Sequence, residues 1–185
     1  MCKDNRMDDT ELLKSCLKGN VEDFKKVMER YAGKAIAMAW NVLGNKQDAE
    51  DICQEVFFQA YHRLDTFDFN RKFKDWFYTI LFNRCKDHLR KRRRFQKYVS
   101  RKKREESGSI EKAGVDALSS GTVPEAVLEK LTPKERLALY LWAVEEYTSA
   151  EIGAILKCSP STARVHLFKA RRRLKPLLEE RDVNL

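Results

Sequence analysis

Apolar residues recur every three or four positions through most of the chain, and the two-residue alternation of strands is nearly absent. The spacing predicts four helices before residue 95, over about 9–18, 20–42, 46–64 and 71–94. On the third, Ala49, Ile52, Val56, Ala60 and Leu64 form an inner stripe; on the fourth, Phe73, Phe77, Ile80 and Leu81 do so. Asn20, Asn45 and Asn70 stand where a side-chain oxygen can accept from the unpaired N–H groups of a first helical turn. No proline interrupts the first 123 residues.

The period fades over residues 105–123, which hold three of the seven Gly and four Ser, and this stretch reads as a flexible linker. Beyond Pro124 the helical period returns. Thr132-Pro133-Lys134-Glu135 is a capping box with proline at the first helical position, and Thr148-Ser149-Ala150-Glu151 is a second box. Ser159-Pro160 opens another helix in the same way. A short helix over about 149–156 and a longer one from Pro160 to about 178 are joined by so tight a turn that they form a helix-turn-helix. The expected fold is all-α. It has two small helical domains, residues 8–94 and 124–181, joined by a linker over 95–123.

Charge sharpens this division. Of the formal net charge of +9, residues 1–89 contribute nothing, with fifteen Lys and Arg against fifteen Asp and Glu. Residues 90–104 carry ten basic residues and no acid. Alone, such a block reads as well as a solvated tail as it does as a phosphate-contacting surface. Five scattered Cys, never spaced C-x-x-C, suit a reducing cytoplasm better than a disulfide framework or a zinc site. The N-terminus is polar and no run of eighteen apolar residues occurs, so neither a secretory signal nor membrane insertion is expected.

Three helix faces carry candidate chemistry. Opposite the inner stripe of the third helix stand Asp48, Asp51, Gln54, Glu55 and Phe58, an acidic face around an outward ring that suits docking to a basic protein. A merely solvated acidic face is the plainer alternative. Next, residues 57–82 hold ten of the nineteen aromatic residues, more than a small core needs. Trp76, Asn83, Asp87 and Arg90 share a polar stripe of the fourth helix, with Thr79 and Lys86 beside it. Rings beside a basic track suit single-stranded DNA, in which bases stack on aromatics while cations follow the phosphates. Asn83 and Asp87 could bond a base turned out of its stack, with the loop 65–70, including Phe69, as a wall.

On the last helix, Ala163, Leu167, Ala170, Leu174 and Leu178 face inward. Ser161, Thr162, Val165, Phe168 and Arg172 face away, flanked by Arg164, Lys169 and Lys175. A helix that only packed would rarely offer Phe168 to water among Arg and Lys. A helix seated in a major groove would use the cations on base edges or phosphates and the ring on a thymine methyl.

The order of these parts resembles a known family. D-A-E-D-x-x-Q-E-x-F runs from Asp48 to Phe57. F-x-x-W-x-x-x-I runs from Phe73 to Ile80 and leads to Asn83, Asp87, Arg90 and Arg93. After the linker come L-T-P-K-E-R at 131–136, the Ser149 to Leu156 segment with Glu151-Ile152-Gly153, and S-T-A-R-V-H-L-F-K-A-R-R-R-L at 161–174. This combination, covering about residues 8–180, resembles the extracytoplasmic-function sigma factors of bacterial RNA polymerase.

The resemblance implies a role for each module. Residues 8–94 would be sigma region 2, with Asp48, Asp51, Gln54 and Glu55 docking on the clamp of core RNA polymerase. Trp76, Asn83, Asp87 and Arg90 would open and read the −10 element, and the loop 65–70 would cradle a flipped base. Residues 124–181 would be region 4, its last helix reading the −35 element as duplex. Many members of that family are held by an anti-sigma factor, which adds one more partner of this kind. The basic run through Arg104 departs from the pattern: the helix could continue past Arg94, or the run could serve the linker.

A stand-alone helix-turn-helix regulator is the alternative. It explains residues 131–180 but leaves the aromatic block and the acidic face unused. An enzyme is not expected, because no phosphate-cradling Gly-rich loop, H-E-x-x-H or nucleophile elbow occurs and the three His are far apart. No cofactor or metal is implied.

Overall fold

The computed structural model of the chain describes residues 8–106 and 130–182. These form seven α-helices and one short 3-10 turn, with no strand among the described residues. The helices are α1 (Asp9–Leu17), α2 (Val21–Leu43), α3 (Lys46–His62), α4 (Phe73–Glu106), α5 (Pro133–Ala143), α6 (Ser149–Leu156) and α7 (Pro160–Asp182). The turn, Leu64–Thr66, connects α3 to the loop before α4.

Local chemistry sets most helix starts. The Asn45 side chain accepts from the Asp48 N–H at 2.8 Å. Thr132 with Glu135 and Thr148 with Glu151 complete reciprocal capping boxes. The Ser159 hydroxyl accepts from the Thr162 N–H at 3.1 Å. Each such cap stabilises its helix by about 1 kcal/mol. Two expected caps take other roles. Asn20 donates its amide to Asp23 at 2.9 Å instead of capping α2. Asn70 bonds Asp68 within the loop, and α4 begins three residues later, at Phe73.

The larger departure is at the other end of α4. It continues through residues 95–106, which the sequence pattern assigned to a linker. That segment has no proline or glycine to stop it, and its Lys, Arg and Gln are good helix formers. The expected flexibility of 107–123 and the boundary at Pro124 lie outside the described residues.

In the N-terminal module, α2 packs against α1, α3 and α4 around a ring-rich core. Phe77, fully buried, lies 4.7 Å from the Phe57 ring and 5.7 Å from the Phe73 ring. The expected stripe of α3 is buried throughout, while Ile80 on α4 is only half-buried. In the C-terminal module Ala163, Leu167 and Ala170 of α7 close over α5 and α6, and Leu174 is half-buried.

The two modules pack against each other, α5 on α2 and α6 on α4, so that their cores are continuous. The joint is polar at its centre. Glu145, its side chain 1% exposed, forms ion pairs with Lys74 at 2.5 Å and Lys34 at 3.6 Å. It also accepts from the Tyr78 hydroxyl at 3.3 Å and from the Tyr140 hydroxyl at 3.5 Å. Burial opposes its charge, but Lys74, Lys34 and Tyr78 outweigh burial and hold its carboxyl below the usual range. Burial likewise pushes the phenols of Tyr78 and Tyr140 up, so they remain donors. Nearby, Tyr147 donates to Asp75 at 2.6 Å. Arg136 donates to the Val42 carbonyl at 3.3 Å, placing a cation at the negative end of α2.

Candidate nucleic-acid interface

The face on α3 divides in two. Asp51, Gln54, Glu55 and Phe58 are exposed, Phe58 to 67%, with the His62 ring 4.3 Å from the phenyl ring, and Asp48 is half-buried. Asp51 meets only the Gln47 amide of its own helix, at 3.2 Å. Asp48 and Glu55 sit at the edge and are held by α4. Asp48 lies 3.2 Å from His88 and 3.7 Å from Arg92, and Glu55 accepts two bonds from Arg84. Of the five residues expected to act together, four are exposed, and two, Asp48 and Glu55, also tie α3 to α4.

On α4 the expected stripe is continuous. Trp76 is half-buried at the edge of the ring core, 5.1 Å from Phe67 and 5.7 Å from Phe73, with its remaining surface outward. Phe69 extends the row from the loop, 5.0 Å from Phe67, and carries Lys14 of α1 over its ring at 5.5 Å. Asn83 and Asp87 line a polar cleft with Glu55, Gln59 and Arg63. Arg90 pairs with Asp87 at 3.3 Å, and Lys86 reaches Asn83 at 3.2 Å. Burial lowers the Lys86 pKa, and Arg90, Lys134 and Lys157 lower it further. Cations of both modules therefore lie within electrostatic reach of Lys86, and Asp87 opposes them.

On α7, Ser161, Thr162, Arg164, Val165, Phe168, Lys169 and Arg172 are all exposed, Phe168 to 64%. Arg164 donates to Ser161 at 3.2 Å. The turn that presents this helix depends on Gly153. A Cβ there would stand 2.8 Å from the Cys158 carbonyl oxygen, and the Cys158 N–H donates to the Gly153 carbonyl at 2.9 Å. Lys157 ends α6 in the left-handed region at φ 53°.

Sequence reasoning missed three features. Glu145 lies between helices, where no periodicity marks burial. Gly153 looks like an ordinary helix residue; its one signal is a glycine six residues before a capping Ser. The length of α4 was left open by its charge. Cys16, Cys53 and Cys85 are buried, and burial pushes the Cys53 and Cys85 thiols up to about 12. Among the described residues no group of three His, Cys, Asp or Glu could hold a metal, and no helix is long and apolar enough to cross a membrane.

An all-helical pair of modules, one with a ring-edged polar stripe and one with an exposed basic helix, is the class of fold that the structure defines. Comparisons with known proteins give the same class. Sigma-70 region 2 matches residues 27–95 and Sigma-70, region 4 matches residues 125–174. The chain is 31% identical over 180 residues to the ECF RNA polymerase sigma factor SigW of Bacillus subtilis, covering 91% of this chain and 95% of that one. It is 25% identical over 185 residues to the ECF RNA polymerase sigma-E factor of Escherichia coli K12, covering 90% and 92%. The solved structure of CnrH in complex with the cytosolic domain of CnrY superposes with a TM-score of 0.66 at 26% identity, covering 93% and 97%. RpoE in complex with the anti-sigma factor NepR from Bartonella quintana gives 0.65 at 25%, covering 85% and 98%.

The chain belongs to the extracytoplasmic-function sigma factors of bacterial RNA polymerase. It directs core polymerase to specific promoters, and the reading as a stand-alone regulator is not favoured.

Proposed function

We propose that the three exposed faces divide the work of initiation among themselves. Asp51, Gln54 and Phe58, with Asp48 and Glu55 at their edge, dock on core polymerase. Trp76, Phe69, Asn83, Lys86, Asp87 and Arg90 capture the opened −10 strand. Ser161, Thr162, Arg164, Val165, Phe168, Lys169 and Arg172 read the −35 duplex. The modules correspond to region 2, from residue 8 into α4, and region 4, from about residue 124 to 181. The protein performs no catalysis of its own and works in the cytoplasm. Its partners are core polymerase and promoter DNA. An anti-sigma factor joins them by analogy with RpoE, which was solved bound to one.

The observation that carries this reading is that folding leaves Phe58 and Phe168 in water at the centres of two separate charged helix faces. Burying either ring would be favourable by about 1.5–3 kcal/mol, so each face gains from a partner. Assembly with purified core polymerase on a promoter tests the assignments together. Asp51→Arg should lose core binding and keep its fold. Trp76→Ala should bind core normally and open the promoter slowly. Arg164→Ala should lose about 1–3 kcal/mol of discrimination at one −35 base pair. Core binding by Asp51→Arg at wild-type affinity would remove the α3 assignment. Unchanged opening by Trp76→Ala would remove the stacking role. Equal loss on every duplex would make Arg164 a phosphate contact.

A further inference from the structure

Where the two modules meet, the joint leaves a cleft that none of the three exposed faces uses. Its volume is about 300 Å³, at the small end of the range for pockets that hold organic molecules. Val42, Leu43 and Leu89 of the N-terminal module and Leu131 of the C-terminal module give it an apolar floor. Arg93, Lys130 and Arg136 also line it, and no carboxylate does.

The three cations are not alike. Arg136 is engaged with the Val42 and Leu131 carbonyls, at 3.3 and 3.1 Å. Glu135, beside it in the chain, accepts from the Thr132 N–H and from Arg173. Arg93 and Lys130 are exposed, and among the described residues their side chains form no hydrogen bond or ion pair. One comes from each module. Two cations brought to one cleft without an acid repel, and an anion between them relieves that repulsion.

The floor narrows the chemistry of that anion. One turn of an α-helix, about 10 Å across and 5.4 Å long, fills about 400 Å³ and is too large. An extended peptide would press its N–H and C=O groups on aliphatic side chains, where they lose water without gaining partners. A hydrocarbon chain carries no such penalty.

We propose that this cleft binds a short aliphatic carboxylate. Arg93 and Lys130 hold the carboxylate from opposite modules, and the chain lies on Val42, Leu43, Leu89 and Leu131. Because both modules supply the site, the ligand binds the packed form and shifts the population toward it.

Octanoate is the probe, titrated into the full chain by calorimetry. Arg93→Gln and Lys130→Gln should each weaken it about tenfold, the loss of one charge-assisted contact. Both variants should melt with the wild type, because both side chains are exposed. Arg93→Lys should keep most of the affinity. Octanol, the same chain without the charge, should bind at least about tenfold more weakly. Hexanoate, two methylenes shorter, should bind about 15-fold more weakly. In methyl-labelled protein, octanoate should move the resonances of Leu89 and Leu131 and leave Leu12 of α1 in place. Absence of octanoate binding at millimolar concentration would overturn the site, as would equal affinity for hexanoate. Loss in only one of the two Gln variants would overturn the bridge between modules. A blocked acidic tetrapeptide that binds more tightly than octanoate would overturn the ligand class and assign the cleft to a protein partner.

Discussion

Rings fill the interior of the N-terminal module, whereas the C-terminal module is closed by Leu, Ile and Ala and by three helix caps. The difference changes how each module makes its candidate DNA-facing surface. In the first, Trp76 and Phe69 are at once the outer edge of the core and part of the candidate site. In the second, the candidate residues of α7 are all exposed and none belongs to the core. The first module couples its reading surface to its stability. The second carries a reading surface that can be altered without touching the core.

The largest expected effect breaks the first module alone. Phe77→Ala removes a ring in contact with Phe57 and Phe73 and should cost about 3–5 kcal/mol in denaturant unfolding. It should abolish −10 strand binding. A loss below about 1.5 kcal/mol would mean that the neighbouring rings collapse into the space, and that the core is less tightly built than described.

Next is the joint between modules. Glu145→Gln keeps the shape of the side chain and removes its charge, and should cost about 1.5–3 kcal/mol. Its pH dependence gives the sign. A folded carboxyl held below the ordinary value of about 4.3 stabilises the packed form above that pH, and the contribution is lost as pH falls through the folded value. Thermal unfolding of the wild type should therefore weaken more steeply than that of the variant on acidification from pH 5. Parallel curves would mean that Glu145 is not what holds the joint.

The smallest effect belongs to the turn of the second module. Gly153→Ala forces a methyl against the Cys158 carbonyl and should cost about 1–3 kcal/mol. It should weaken −35 duplex binding and leave −10 strand binding intact. Loss of both activities together would show that the continuous core couples the two modules.

The same contrast explains what was legible in the sequence. Helix positions, the two modules and the exposed side of α7 followed from period, caps and charge, because each depends on neighbours within one turn. The face of α3 was less legible. Periodicity placed Asp48 and Glu55 outward but could not show that His88, Arg92 and Arg84 arrive from another helix. Glu145 was invisible for a related reason: its partners lie on α2, α4 and α5.

The joint also sets a limit on affinity. With α6 resting on α4 and α5 on α2, the two modules are held in one arrangement. A complex that needs the two modules apart must first break this joint. If packing is favoured by about 2 kcal/mol, only about one molecule in thirty is open at equilibrium, and binding that requires the open form weakens about 30-fold. Residues such as Glu145, far from any promoter base, would then set the concentration at which this sigma factor captures polymerase and begins transcription.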